Sequence, residues 1–361
     1  MSAVSPADII GEKSKLASPA GAEARRSGVS RSMKILVFGP KARYDAYMPE
    51  FARELGAELV FCPLGSSPRQ AAADNPDAQV LFDDPVIDVD REILDLLPNL
   101  KLIQSEGVAF NRIDLEAARE RGVYVCNNKG CNADSVAEHT VMLMLMALRH
   151  GITGHNAVRE GRQMQMKEAV MASNSPELGE QTVGLVGLGD IGQATARRLK
   201  PFGCKLYYYT LHRRPPEVEA ELGVTYLPLE ELFSACDVLS LHCAVNDQTR
   251  GMVNEALLER VKPGAILVNT ARGDLVDNLA VRRALLDGRL GGIAMDTLAP
   301  EPTPADHPLV DLPTEAADRA IYSPHLGGNT GGSFRRAHRN MWENARRIQE
   351  GQRPVHIVNG L

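Results

Sequence analysis

Several large functional classes are excluded by what this 361-residue chain lacks. Its six cysteines, at positions 62, 126, 131, 204, 236 and 243, are scattered and form no C-x-x-C. That excludes a disulfide framework or a zinc module and fits buried thiols in a reducing, cytoplasmic compartment. There is no surplus of positive charge: 40 Lys and Arg stand against 46 Asp and Glu, for a net charge of −6. Without a concentrated basic face, nucleic acid is not an expected partner. The strongest apolar run, 141–148, is too short to span a membrane and is flanked by His139 and Arg149-His150, so it reads as a buried helix. No internal repeat is visible, and no metal site is expected. Residues 1–32 are rich in Ser, Ala and charge and mix Arg25, Arg26 and Arg31 with Asp8, Glu12 and Glu23. They read as a disordered extension rather than a transit peptide.

What is present is an ordinary globular composition, 44% hydrophobic and 24% charged, in a length that predicts two domains. The organising stretch is 182–214. An apolar run over 182–186 reads as a buried parallel strand and ends in Gly187-Leu188-Gly189-Asp190-Ile191-Gly192. A helical pattern (Ile191, Ala194, Ala196, Leu199) and a second strand over 205–209 follow. This order of strand, glycine loop, helix and strand is the context of a dinucleotide fingerprint. Gly187 allows the tight turn, Gly189 the approach of a pyrophosphate, and Gly192 close packing of helix on strand. The pyrophosphate then meets unpaired N–H groups at the helix start. Where NAD-selective sites carry an acid at the end of the second strand, this chain has Thr210, followed by Arg213 and Arg214. A 2′-phosphate dianion suits a guanidinium fork. The residues therefore point to NADP(H), with NAD(H) as the alternative.

Helix and strand signals alternate on both sides of this stretch, which predicts an α/β fold. Ahead of it, strands are expected at 33–39, 58–62, 80–82, 100–104 and 123–126, with helices at 44–55, 90–97 and 115–121. This region has no phosphate-binding glycine loop and is a candidate substrate domain. The polar segment 127–134 reads as the crossing between domains. A helix over 135–150 follows, opened by a capping box of Ser135 and Glu138, and then a helical stretch over 155–172. Beyond Arg214, strands at 224–227, 237–242, 265–269, 292–296 and 320–323 alternate with helices at 229–234, 254–260 and 277–287. A helix over 333–350 closes the chain.

Ligands of a doubly wound sheet meet the carboxyl ends of its strands. Three such ends carry chemistry: Thr270-Ala271-Arg272-Gly273-Asp274, Asp296 to Glu301-Pro302, and Pro324-His325-Leu326-Gly327-Gly328. Arginine, glutamate and histidine on one face are what reduction of a 2-keto acid needs. A guanidinium holds the substrate carboxylate bidentately, polarises the carbonyl and stays charged. An imidazolium delivers a proton to the developing alkoxide. A carboxylate on its other nitrogen favours the charged ring and orients it.

With these motifs in view, the chain from Met33 to Leu361 resembles the D-isomer-specific 2-hydroxyacid dehydrogenases, of the glyoxylate/hydroxypyruvate reductase type. The matching stretches are GLGDIG at 187–192, LSLHCAVNDQTRGMV at 239–253, VNTARGDLVD at 268–277, GIAMDTLAPEP at 292–302 and SPHLGGNT at 323–330, with SVAEHT at 135–140 and GVAFNRIDL at 107–115. The resemblance implies two Rossmann-like doubly wound domains. A dinucleotide-binding domain (133–325) is inserted into a discontinuous, flavodoxin-like substrate domain (33–132 with 326–361). It implies that Arg272 binds the substrate carboxylate and carbonyl, that His325 is the acid/base with Glu301 as partner, and that the backbone of Val108 and Ala109 cradles the carboxylate. Asp296 would hold the nicotinamide carboxamide. Thr270, Ala271, His242, Cys243, Ala244, Thr249, Gly327 and Gly328 would line the cofactor. His139 would be a packing or hinge residue. A homodimer acting on a small 2-keto or 2-hydroxy acid is implied. Four departures stand out: Thr210 for the usual acid, Ala109 for a second glycine, Ala244 for a proline and Gln163 for a tryptophan. Two rival readings are a formate-oxidising enzyme of the same fold, which usually pairs its histidine with glutamine, and a dinucleotide-sensing regulator like the C-terminal-binding-protein corepressors.

Overall fold

Short apolar runs become parallel strands, and the inner ones are buried on both faces. In the computed structural model, which describes residues 32–361, twelve of them form two all-parallel sheets. The first sheet holds β1 (Lys34–Phe38), β2 (Glu58–Cys62), β3 (Val80–Asp83), β4 (Leu102–Ser105) and β5 (Tyr124–Cys126) in the order β2-β1-β3-β4-β5. This is the flavodoxin-like order. The second holds β6 (Thr182–Val186), β7 (Lys205–Tyr209), β8 (Val224–Tyr226), β9 (Val238–Leu241), β10 (Ala265–Asn269), β11 (Leu290–Met295) and β12 (Ala320–Tyr322) in the order β12-β11-β10-β9-β6-β7-β8. That is the dinucleotide-binding order with a seventh strand added. The expectation for residues 1–32 falls, save for Ser32, outside the described residues.

The end of the chain returns to the first sheet. The final helix, Gly331–Gln349, buries Met341, Trp342, Ala345 and Ile348 against Met33, Ile35 and Val37. The Trp342 ring meets Phe82 edge-on at 5.4 Å between centroids. Truncating such a buried ring costs about 3–5 kcal/mol. The tail then pairs with β5 through Val358 N–H and the Val125 carbonyl (2.8 Å). The crossing helix, Ala133–Leu148, instead packs Leu143, Met144 and Leu148 against Val183, Leu185 and Val268 of the second sheet.

Three helix expectations need correction. The stretch 44–55 is two pieces, Lys41–Tyr47 and a 3₁₀ turn Glu50–Leu55, because Pro49 has no N–H to continue the ladder. The stretch 155–172 is Gly151–Arg159 and Gln163–Ala172, broken where Gly161 adopts a positive φ of 73°. The proposed capping box is absent. The crossing helix starts two residues earlier, at Ala133, because Ala133 and Ala137 pack against Ala194 of the glycine-loop helix. Ser135 lies inside the helix and binds Thr330, while Glu138 pairs with Arg198. Among the described residues, no helix is long and apolar enough to cross a membrane.

Candidate active site

The glycine loop forms as its spacing predicts. Gly187 has φ 105°, and a Cβ there would lie 2.7 Å from the His242 carbonyl carbon and 2.8 Å from Cys243 N. A Cβ on Gly192 would collide with the Gly187 carbonyl, so only glycine lets the helix Asp190–Leu199 start this close to β6. Gly189 differs, since nothing lies within 4 Å of its missing side chain. No side chain caps that helix, so its first N–H groups, with Asp190 and Ile191 in the opening turn, have no side-chain acceptor. This cradle suits a dinucleotide pyrophosphate.

Beside the loop is a cavity of about 390 Å³, lined by Gly187, Thr210, Arg214, Cys243, Ala244 and Thr249, together with Leu211, His212, Asn246 and Gln248. The size suits a small-molecule subsite. Arg214 is half-buried, and its Nε donates to the Leu188 carbonyl (3.0 Å). Arg213 is occupied elsewhere: it donates to both oxygens of Glu219 (2.8 and 2.9 Å) and lies over the Tyr226 ring. Hydrogen bonds from Arg213 and the Tyr208 hydroxyl bring the Glu219 carboxyl down to about 2. The Thr210 hydroxyl bends back to the His212 carbonyl, and that of Thr249 to the Ala244 carbonyl (2.7 Å). His242 lies beneath the loop rather than in this cavity. Its Nε2 meets Ser240 Oγ (2.9 Å), and burial lowers its pKa to about 4, so the ring is neutral near pH 7.

The three chemistry-bearing side chains follow three adjacent strands. Asn269 of β10 pairs with Met295 of β11, which pairs with Tyr322 of β12. Arg272, Glu301 and His325 therefore leave the same edge of the sheet. Arg272 is exposed and donates to the Ala271 carbonyl (2.7 Å), while Asn269 Nδ2 holds the Arg272 carbonyl (2.8 Å). Gly273 lies so close to Leu298 and Ala299 that a Cβ would collide with their backbone, which brings the arginine loop against the loop bearing Glu301. The latter loop is held by His307, a buried ring that accepts from Leu309 N–H (3.1 Å) and donates to the Ala299 carbonyl (3.1 Å). Glu301 reaches His325 Nδ1 with both oxygens (3.0 and 3.1 Å), and each side chain stays about half exposed, at 47% and 45%.

His325 has φ 53°, a left-handed conformation that costs a non-glycine residue about 1–2 kcal/mol. Asp296, at the end of β11 and 3% exposed, holds its turn. The carboxylate accepts from Ser323 Oγ (2.5 Å), Leu326 N–H (2.9 Å) and Gly327 N–H (2.9 Å), and the Asp296 carbonyl accepts from His325 N–H (2.8 Å). Burial alone would raise this carboxyl. The bonds from His139, Ser323 and the two amides outweigh it and bring the pKa down to about 2. Thr270 and Ala271 are buried beside it, Gly327 is buried against Asp296 and His139, and Gly328 packs on Asn132.

In the first sheet, the segment after β4 is tied down through its carbonyls. Asn127 Nδ2 binds the Val108 carbonyl (2.8 Å), and Ser105 Oγ binds that of Ala109 (2.6 Å). The backbone N–H groups of Val108 and Ala109 donate to no described residue, an arrangement suited to a carboxylate. Sequence reasoning did not single out Asp296 as holder of the His325 turn, nor His307, Ser323 or Thr140. The roles of Asp296, Ser323 and Thr140 come from contacts between distant segments, and that of His307 from the fold of its own loop.

Comparison with known proteins follows the same lines. Residues 141–327 match the family described as "D-isomer specific 2-hydroxyacid dehydrogenase, NAD binding domain". The chain is 35% identical to a glyoxylate reductase of Korarchaeum cryptofilum over 279 residues, covering 77% of this chain and 81% of that one. It is 40% identical to a formate dehydrogenase of Pseudomonas sp. over 233 residues, covering 64% and 56%. Among solved structures, a glyoxylate reductase from Paecilomyes thermophila superposes with a TM-score of 0.73 at 27% identity, covering 91% of this chain and 98% of that one.

Proposed function

The chain belongs to the D-isomer-specific 2-hydroxyacid dehydrogenase family, and from that premise we propose that it reduces a small 2-keto acid, of the glyoxylate or hydroxypyruvate kind, with NADPH. Residues 33–132 with 326–361 form the substrate domain in this reading, and 133–325 the dinucleotide domain. The observation that carries it is the bidentate Glu301–His325 pair on the same sheet edge as Arg272.

The bound nicotinamide supplies the hydride. The protein binds, orients and protonates. The free N–H groups of Val108 and Ala109 and the Arg272 guanidinium take the substrate carboxylate, and Arg272 also draws electron density from the carbonyl oxygen. Because Nδ1 of His325 is held by Glu301, its Nε2 carries the proton delivered to that oxygen. Glu301 stabilises the imidazolium before transfer. In the oxidation direction the same nitrogen takes the proton back. Gly187, Gly189 and Gly192 shape the pyrophosphate cradle. Arg214, not the Glu219-bound Arg213, is the candidate reader of a 2′-phosphate.

A second copy of the chain is proposed to cover the outward face of the crossing helix. There Val141, Met142, Leu145 and Met146 line an open apolar groove, next to exposed Ile152. Such contiguous apolar surface marks an interface. Oxidation of formate, the activity named for the Pseudomonas relative, is the second reading. The carboxylate on His325 weighs against it, because formate oxidation produces no alkoxide to protonate. The test is Arg272→Ala: turnover of glyoxylate and hydroxypyruvate should vanish while the circular dichroism spectrum and melting temperature stay near wild type. Near-wild-type activity in that variant refutes the reading.

A further inference from the structure

The crossing helix is apolar over most of its length, yet three of its polar side chains each hold a different piece of the site. Ser135 Oγ meets Thr330 Oγ1 (2.7 Å), the residue that caps the final helix just after the His325 turn. His139 Nε2 meets Ser323 Oγ (2.7 Å) and Asp296 Oδ1 (3.2 Å). Thr140 Oγ1 meets Thr270 Oγ1 (2.8 Å), two residues before Arg272.

The proton directions follow from what each group can do. The Asp296 carboxylate only accepts, so the single Ser323 hydroxyl hydrogen goes to it. Ser323 must then accept from His139, which places a proton on His139 Nε2. The Thr140 hydroxyl donates to the Val136 carbonyl (2.8 Å), so Thr270 donates to Thr140. At this same end the helix continues from the loop whose Asn127 and Asn128 tie down the carboxylate cradle. Asn128 N–H donates to the Gly107 carbonyl (2.9 Å) and its side chain to the Glu106 carbonyl (2.9 Å). The helix thus touches both catalytic loops of the second sheet, and the loop that leads into it touches the cradle of the first.

We propose that His139 and Thr140 are positioning residues: they register His325 and Arg272 against the carboxylate cradle without touching substrate. This rests on the keto-acid reduction proposed above. His139 approaches the Asp296 oxygen, Oδ1, that also accepts from Ser323 and Leu326, and Asp296 in turn holds the left-handed turn at His325. Thr140 fixes the root of the Arg272 loop. Because the bonds set angle and reach rather than binding, their loss should fall on the chemical step.

The test compares His139→Ala and Thr140→Val with the conservative His139→Gln and Thr140→Ser, using the intact chain. Read-outs are kcat and KM for glyoxylate, melting temperature, and the isotope effect with 4-deuterated NADPH. His139→Ala should lower kcat at least about tenfold with KM changed less than about threefold, and should raise the isotope effect as hydride transfer becomes limiting. His139→Gln, which restores an N–H at similar reach, and Thr140→Ser, which restores the hydroxyl, should recover most of kcat. Wild-type kcat in both disruptive variants overturns the proposal. So does a loss of kcat that follows melting temperature and is not recovered by the conservative pair, which would mark a packing role. Both outcomes leave keto-acid reduction standing. A wild-type protein that turns over no keto acid removes that reading and this proposal together.

Discussion

Replacing Glu301 with glutamine keeps the shape of the His325 partner and removes its charge. Both oxygens now lie 3.0–3.1 Å from Nδ1, and the glutamine amide oxygen can still accept from Nδ1–H, so ring orientation survives. What is lost is stabilisation of the imidazolium. For unit charges about 4 Å apart this is about 1 kcal/mol in bulk water and about 4 kcal/mol at an effective dielectric of about 20. The two side chains are 45% and 47% exposed, which keeps the free site toward the lower figure, and a bound substrate excludes water and raises it. A loss of about 1–3 kcal/mol corresponds to roughly 5- to 150-fold in kcat. That is smaller than the roughly 10²–10⁴-fold loss expected when His325 itself is replaced by alanine. An exposed ion pair contributes at most about 1 kcal/mol to folding, so the variant should melt within a few degrees of wild type. The assay is the initial rate of NADPH oxidation with saturating glyoxylate. A kcat for Glu301→Gln within twofold of wild type would refute the role given to this carboxylate.

Two further outcomes follow from the cofactor cavity and the apolar face. Arg214→Ala should raise the KM for NADPH about tenfold and leave that for NADH within about threefold, the size expected for one charge-assisted phosphate contact. Arg213→Ala, whose guanidinium is already bound to Glu219, should change either by less. Equal effects of the two variants would contradict the assignment. Leu145→Asp, placing a charge in the groove of the crossing helix, should convert a dimer to a monomer in light scattering after gel filtration. A wild-type protein that runs as a monomer contradicts the interface.

Much of the fold was legible because parallel strands are largely apolar along their length, and the inner ones, such as β6 and β10, are buried on both faces. β2, β6, β7 and β10 fall where the apolar runs begin and end. The glycine loop was legible through its spacing, with Gly192 answering a steric demand from the Gly187 carbonyl and Gly187 one from the neighbouring strand end at His242, while Gly189 meets no neighbour. Helix ends were less so. The crossing helix begins at Ala133, not Ser135, because packing of Ala133 on the glycine-loop helix decides it, and no local propensity encodes that contact. The Arg, Glu and His of the site could be named from their strand ends. Their support could not. Asp296 holding the His325 turn and Thr140 holding Thr270 are bonds across 27 and 130 positions of sequence, and His307 holding the Glu301 loop is a bond across 8 positions within a loop whose course the composition leaves open. Arg213 and Arg214 looked equivalent in sequence. Only Glu219, six residues on and facing back, separates them.

The most direct test of the account follows the hydride itself. The purified protein is incubated with 4-deuterated NADPH and glyoxylate or hydroxypyruvate, and the products are read by proton and deuterium NMR with chiral analysis. The account predicts deuterium at C2 of the 2-hydroxy acid, a single D-configured product from hydroxypyruvate, and no transfer with Arg272→Ala. Deuterium that stays on the cofactor with every keto acid supplied, or an L-configured product, would contradict it.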